Sequence, residues 1–489
     1  MSSNVSIRRL KPIEWMLAVL IVLAPLYFHY NIGGTGFRIP SNITVWAAAS
    51  IIIFYSLYKL ASAQIIILPR YSLLLLAFPL LAIYGAMMSG ITIPAQWFFR
   101  LLFIIGGTVF LFSLFQYKLT QYRVDRLLLL IVIAAFFHAL VGLIQIVLVN
   151  AIPSWLPLSS SGMPTGIFQQ INNQGTFQVT AIVMSFWLLT RPFLNKKINI
   201  TVIFLLIFIT ISSFVVSYSG SRVAVLGFII ATPPFLISRW SFINRHKMRW
   251  ILVIGLMMLS IVSASNYEEG RGLNSVAEKT AAMNAGFSGS ARLGMYNIAY
   301  EVIKKSPWLG HGIGSFVREW QLAKPAFYQK NPEAFLPNSR VTHPHNEIIF
   351  WLVEGGLIVT FGLICLALAV ILALINLPTP RRYVYAAILL PITLHTQVEL
   401  PFYISSFHWF VFLIILFLIL RHRSKQTSLN LSFAARSTIK ISSLFAAMIT
   451  TLFLIHTLLA SLELSSFIKD RKKPQAFDIA INNPYFKQL

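Results

Sequence analysis

Two histidines and an amide in the stretch Thr342-His343-Pro344-His345-Asn346 open directly onto an apolar run, and such a set at the mouth of a membrane helix has the makings of a site. A neutral imidazole accepts a proton near neutral pH, so His345 is the candidate base, with His343 and Asn346 as neighbours. Two arginines are placed comparably. Arg222 closes the short turn Ser217-Tyr218-Ser219-Gly220-Ser221 between two apolar runs. Arg292 follows Ser288-Gly289-Ser290 in the first turn of a pattern in which Arg292, Tyr296, Ala299 and Ile303 share a helical stripe, ended by Pro307, Gly310, Gly312 and Gly314. A cation there opposes the helix dipole, yet a guanidinium beside a helix N-terminus makes a strong anion site. Two polar clusters complete the set: Ser161 to Gln174, with Gln169, Gln170, Asn172 and Asn173, and His395-Thr396-Gln397-Val398-Glu399-Leu400-Pro401-Phe402-Tyr403. Amides in such number beside a span are costly to leave unpaired in lipid and are expected to line a cavity. Guanidinium forks match phosphate oxygens, so two arginines, a histidine and amides on one face suit an anionic leaving group and a hydroxyl nucleophile. The chemistry expected is transfer from a phosphate-activated, lipid-linked donor.

Each residue alone also fits a bland role. An interfacial histidine can simply cap a helix, a span-end arginine can snorkel, amides can serve turns, and Glu399 can pair with any nearby cation. His138 and His456, mid-span, fit packing between helices better than reaction. Convergence on one side of the membrane is what favours function. A metal is not expected: His343 and His345 could ligate, but no His-Glu-x-x-His, paired-acid or Cys/His spacing accompanies them. The single cysteine, Cys365, lies in an apolar run.

The elements that must position these residues are membrane helices. Of 489 residues, 57% are hydrophobic and 11% charged, and apolar runs of membrane-spanning length recur along the whole chain. The fold class is therefore an all-α polytopic integral membrane protein of about 12–13 transmembrane helices. Thirteen spans are expected, near 13–31, 43–63, 71–89, 94–116, 125–150, 174–190, 198–217, 222–238, 249–265, 345–375, 383–398, 403–420 and 438–460. The helix from Pro344 has about 30 residues, roughly 45 Å against a hydrocarbon thickness near 30 Å, so its first turns stand clear of lipid. Helical phase puts His345, Ile349, Leu352 and Gly356 on one stripe, with Glu347 and Glu354 opposite.

The net charge of +25, from 39 basic and 14 acidic residues, is explained first by topology, not by nucleic acid. With the N-terminus cytoplasmic and the first span uncleaved, the cytoplasmic segments collect most basic residues, from Arg8 through Lys59, Arg123, Arg191, Arg239 and Arg381 to Lys440. The short opposite loops and span ends hold only Arg38, Arg100 and Arg222. This gives an N-terminal bundle of about nine spans (1–265), an outer loop with amphipathic helices (266–344), a C-terminal bundle of about four spans (345–460) and a short outer tail (461–489). All the candidate residues surface on the outer side.

The His345-Asn346 pair with Gly356 after it, the Ser219-Gly-Ser-Arg222 turn, and the Arg292 helix with Pro307-Trp-Leu-Gly310-His-Gly312-Ile-Gly314 resemble the O-antigen ligase superfamily of bacterial inner-membrane glycosyltransferases. The likeness covers roughly residues 200–375. Gly166-Ile-Phe-Gln-Gln170-Ile-Asn172 and His395-Thr-Gln-Val-Glu399-Leu-Pro401-Phe-Tyr403 are similar to the protein-glycosylating branch, the O-linked oligosaccharyltransferases, although Ile171 replaces the usual proline. The resemblance implies a GT-C-like architecture, a glycan donor on undecaprenyl pyrophosphate and, as acceptor, a hydroxyl of a periplasmic protein such as pilin. A lipid A core sugar is the acceptor in the ligase branch. It also implies His345 as activator of that hydroxyl, Arg222 and Arg292 as holders of the pyrophosphate, and Gln170, Asn172, Asn346, His343, Glu399 and Tyr403 as substrate contacts, with no metal or other cofactor. Many such enzymes continue into a periplasmic module where this chain stops, at Leu489. A ligase or polymerase on the same chemistry, and a lipid-linked glycan flippase or transporter from another class, are the competing assignments.

Overall fold

The computed structural model describes residues 11–31, 33–91, 93–159, 162–194, 199–267, 276–277, 289–332, 341–469 and 477–488. Ser161 and Ser288, and the charged residues Arg8, Arg9, Lys196, Lys197, Arg471, Lys472 and Lys473, lie outside the described residues.

All thirteen apolar runs are helical. Helix α1 (Pro12–Ala18) continues through a π turn and a 3-10 turn to Leu26. It is followed by α2 (Pro40–Leu60), α3 (Ser72–Met88), α4 (Pro94–Phe115), α5 (Gln121–Val147), α6 (Ile171–Leu189), α7 (Ile200–Ser219), α8 (Arg222–Arg245) and α9 (Lys247–Tyr267). The polar loop contributes α10 (Gly289–Lys305) and α11 (Phe316–Lys330). After it come α12 (Glu347–Ile375), α13 (Thr379–Thr396), the single turn α14 (Pro401–Ile404), α15 (Ser406–Leu420), α16 (Phe433–Lys469) and α17 (Asp478–Asn482). Among the described residues nine helices are long and apolar enough to cross a membrane, and α3 and the first helix are shorter apolar ones. The chain is an all-α polytopic membrane protein.

Helices α6 and α13 fall outside the nine because polar residues interrupt them. They are nonetheless central. Every residue from Asn173 to Leu189 is buried, and α6 packs on α5, α7, α8 and α13. Its amides are paired across helices, as a lipid-buried helix requires: Gln174 Nε2 donates to the His138 carbonyl at 2.8 Å and Gln178 Nε2 to the Ala135 carbonyl at 3.0 Å. The expectation that this cluster lines a cavity is thus corrected for Asn173 and Gln174, which, like Gln178 further along, serve helix packing instead. His138 stacks on Phe168 with ring centroids 4.3 Å apart, a packing role.

Besides shifts of several residues at span ends, four features differ from expectation. The span placed at 403–420 is broken at Ser405, whose extended backbone (φ −131°) and hydroxyl cap a fresh helix at Ser406. Helix α16 extends beyond 438–460 at both ends. Ile65–Pro69 and Ser424–Ser428 form an antiparallel strand pair, β1 and β2, with Ile65 opposite Ser428. Both strands belong to the side where basic residues collect, in agreement with the charge count.

The fourth difference reaches the site. Helix α12 is two helices joined at Gly356, whose backbone (φ 63°, ψ −163°) is open essentially to glycine alone. The freed backbone groups are met by the loop after α10. His311 and Gly312 N–H donate to the Val353 and Glu354 carbonyls at 2.9 Å, while Leu357 N–H and Ile358 N–H donate to the Pro307 and Trp308 carbonyls at 2.8 and 3.2 Å. A Cβ at Gly356 would lie 2.4 Å from the Trp308 oxygen, and one at Gly310 2.5 Å from the Glu354 backbone. Gly356→Ala and Gly310→Ala are therefore expected each to destabilise the protein by about 1–3 kcal/mol, read as a lower melting midpoint in detergent. Unchanged midpoints would show that the splice tolerates a side chain.

Candidate active site

Three helices begin at the site with the same local device, a residue in left-handed conformation followed by a side-chain cap. Gln169 (φ 57°) precedes Gln170, which caps α6 by accepting from Asn173 N–H at 2.7 Å. Gly220 (φ 58°) precedes Ser221, which caps α8. His345 (φ 55°) precedes Asn346, which caps α12 by accepting from Ile349 N–H at 3.0 Å. Gln169 and His345 are the non-glycine residues with positive φ among those described. Such conformations are strained and persist where surrounding structure over-determines them. His345 thus precedes its helix, and its direction is set by this loop, not by the helical stripe that the sequence suggested.

The three starts are tied together through Glu399, on the turn between α13 and α14. Its Oε2 accepts from Gln170 Nε2 and Asn172 Nδ2, both at 2.9 Å, and contacts His395 Nε2 at 3.2 Å. Asn172 Oδ1 accepts from the Ser221 hydroxyl at 2.8 Å, and Asn346 Nδ2 donates to the Gln397 carbonyl at 3.1 Å. The remaining oxygen, Oε1, lies 3.9 Å from His345 Nδ1, a buried nitrogen with no hydrogen-bond partner. That gap is an electrostatic contact, not a hydrogen bond. Arg292 acts electrostatically on His345 and on Arg222, and Arg222 is the first residue of α8, next to the Ser221 cap. Three helix N-termini meet here, a setting that favours an anion.

Burial pulls the His345 pKa below its ordinary 6.5; Glu399 opposes this and Arg292 adds to it. His343, whose ring centroid is 4.5 Å from that of His345, is held at about 4, first by burial and then by its neighbour's charge. Burial alone would raise the Glu399 carboxyl, but hydrogen bonds from His395 and Asn172 and the nearby imidazoles bring it down to about 2. At neutral pH His343 and His345 are therefore neutral beside the Glu399 carboxylate.

Tyr403 belongs to a neighbouring group. Its hydroxyl donates to Glu347 Oε1 at 3.2 Å, as Trp351 Nε1 does at 2.8 Å. Arg100 pairs with the buried Glu354 and stands 4.8 Å over Phe350 and 5.3 Å over Tyr403. Glu354 also accepts from Phe316 N–H at 3.3 Å, so one carboxylate joins α4, α11 and α12. Arg100, Glu347, Phe350, Trp351 and Tyr403 wall a cavity of about 890 Å³ that runs from Arg38, Gln96 and His343 down α12 to Leu374, apolar for most of its length. His343 is shared between this cavity and the His345 group.

Arg100, Glu347, Glu354 and His395 entered the sequence reading only through topology, helical phase or a polar cluster, and none was given a role at the site. Two signals were present: charges inside apolar runs must find partners, and His395 and Glu399 are four residues apart at a helix end. No three His, Cys, Asp or Glu among the described residues come together as a metal-binding group.

Residues 204–367 match the family model described as O-antigen ligase, and residues 383–480 match one described as virulence factor membrane-bound polymerase, C-terminal. Arg222, Arg292 and His345 fall in the first match and Glu399 and Tyr403 in the second. No curated protein matches the chain.

Proposed function

This chain belongs to the O-antigen ligase superfamily, and we propose that it moves a glycan from undecaprenyl pyrophosphate to serine or threonine hydroxyls of periplasmic proteins such as pilins. A glycosyl-transfer enzyme is what the family supports; the donor, the acceptor and the residue roles are our own assignment. The observation that carries it is His345, its Nδ1 3.9 Å from Glu399, at a point where three helices begin, with Arg292 acting on it and Arg222 opening α8. A carboxylate on the Nδ1 side favours the proton on that nitrogen, which leaves Nε2 to take one. It removes the proton of the acceptor hydroxyl as the oxygen bonds to the anomeric carbon. The bond from that carbon to the pyrophosphate oxygen breaks, and undecaprenyl pyrophosphate leaves with the electron pair. Arg222 and Arg292 stabilise the charge that develops on it, which is the most effective place to put a guanidinium. Glu399, Gln170, Asn172 and Asn346 hold His345 and the α8 start in register, and the apolar cavity beside His343 suits the chain of a lipid-borne substrate.

A protein acceptor is favoured because the segments resembling the protein-glycosylating branch, around Gln170 and Glu399, are the ones that build the histidine's support. The ligase assignment, with lipid A core as acceptor, is favoured by the description of the matching family. Purified protein given undecaprenyl-pyrophosphate glycan together with pilin and lipid A core separates the two. Glycan on pilin is the expected product, and glycan on lipid A alone would overturn the protein assignment. Donor translocation without transfer would favour a flippase.

A further inference from the structure

On the face that the charge count places in the cytoplasm, two arginines lie against one tryptophan and a third acts on one of them. The Arg239 guanidinium lies 4.2 Å from the centroid of Trp187, and that of Arg191 lies 5.0 Å from it. Arg191 and Arg381 both act electrostatically on Arg239. The framework is built: α8 packs along α13, and the Ser238 hydroxyl donates to the Pro380 carbonyl, bringing Arg239 and the first turn of α13 together. Among the described residues, the one carboxylate paired with any of the three arginines is Asp125, which accepts from Arg191 Nε at 2.8 Å. Two donors are buried without a hydrogen-bond partner, Arg239 Nε and the indole Nε1 of Trp187, a residue only 2% exposed.

The positive-inside rule accounts for arginines on this face but not for two on one ring with a third acting on one of them. Like charges at short range repel, and the repulsion turns to attraction once an anion stands among them. Arginine forks fit phosphate oxygens, and a phosphate also gives the orphan N–H groups an acceptor. Arg239 stands seventeen residues into α8, roughly 25 Å from Arg222 at the helical rise, which is headgroup depth at the inner edge of a bilayer of about 30 Å. Beside it on α8, Ile237 and Trp240 are 61% and 57% exposed and offer apolar surface for acyl chains.

We propose that Arg191, Arg239 and Arg381, with the Trp187 indole, form a site for the phosphate of an anionic phospholipid of the inner leaflet. The site is independent of the glycan-transfer assignment and lies on the opposite face from His345.

The test is thermal unfolding of the purified full-length protein in detergent micelles, with and without added lipid, since a ligand that binds only the folded state raises the melting midpoint. Dioleoylphosphatidylglycerol is expected to raise it and dioleoylphosphatidylcholine not to. Arg239→Gln is expected to keep the lipid-free midpoint and lose at least half of the shift, whereas Arg436→Gln, basic but outside the cluster, keeps all of it. Should Arg239→Gln fail to fold, Arg381→Gln, whose side chain is exposed, carries the same expectation. Equal shifts with the two lipids, or full retention of the shift in the cluster variants, would overturn the proposal. Reproduction of the shift by inorganic phosphate alone would make this a free-anion site and overturn the lipid assignment.

Discussion

His345→Ala is expected to lower glycan transfer by about 10²–10⁴-fold, the usual contribution of a positioned general base, with donor binding retained. The loss should fall on kcat, because the imidazole acts on the proton in flight and does not hold the pyrophosphate. Its pH signature follows from its surroundings. A base works deprotonated, and burial places the His345 pKa below 6.5, so kcat/KM should be level through neutral pH and fall only on the acid side, below the ordinary imidazole range. Two variants should move that acid limb in opposite directions. Glu399 favours the protonated imidazole, so Glu399→Gln lowers the limb further; Arg292 disfavours it, so Arg292→Ala raises the limb. A limb that stays fixed in both variants would identify another group as the base. His345→Ala with full turnover would remove the histidine from the chemistry.

Arg222→Ala and Arg292→Ala are expected to lower kcat by roughly 10²–10³-fold each, by comparison with the loss of one donor to a developing anion. The two act electrostatically on one another and on the same leaving group, so their effects should not add. The double variant is expected to lose less than the product of the single losses. Lysine is a poor substitute, since it offers a point charge where a planar fork is needed. Measured with a donor of fixed chain length, an effect confined to KM would mean that the arginines bind ground state and transition state alike. Turnover unchanged in both single variants would remove pyrophosphate from this location.

The span pattern was legible because long apolar runs in this chain have little choice of structure, whereas lysine and arginine placement supplies an expectation of the sides. The gathering of Gln170, Asn172, Ser221, His345 and Glu399 was legible only as a set of polar clusters on one side. That Gln170 and Glu399, 229 positions apart, would share a hydrogen bond depends on how α6 and α13 pack. The direction of His345 was misjudged for a local reason: Pro344 and the left-handed backbone of His345 take it out of the helix, and a stripe computed from helical phase does not apply. The break at Gly356 was invisible because glycine is common in membrane helices, and its partner is the loop 307–312. Tyr403 was grouped with Glu399 by nearness in sequence, but one turn of α14 directs it to Glu347. The strand pair joins the apolar Ile65–Pro69 to the polar Ser424–Ser428, a ladder that side-chain alternation does not announce.

The capped helix starts have a mechanical consequence. Side chains knot α6, α8 and α12 to one another and to the Glu399 turn at the end that carries His345. When a bilayer is thicker or thinner than the protein's apolar belt, helices tilt or the lipid deforms at a cost of fractions of a kcal/mol per ångström. The ties at the His345 ends oppose such tilting where the candidate site lies. The reacting geometry is thereby insulated from bilayer thickness, as the mount of an instrument is insulated from the floor.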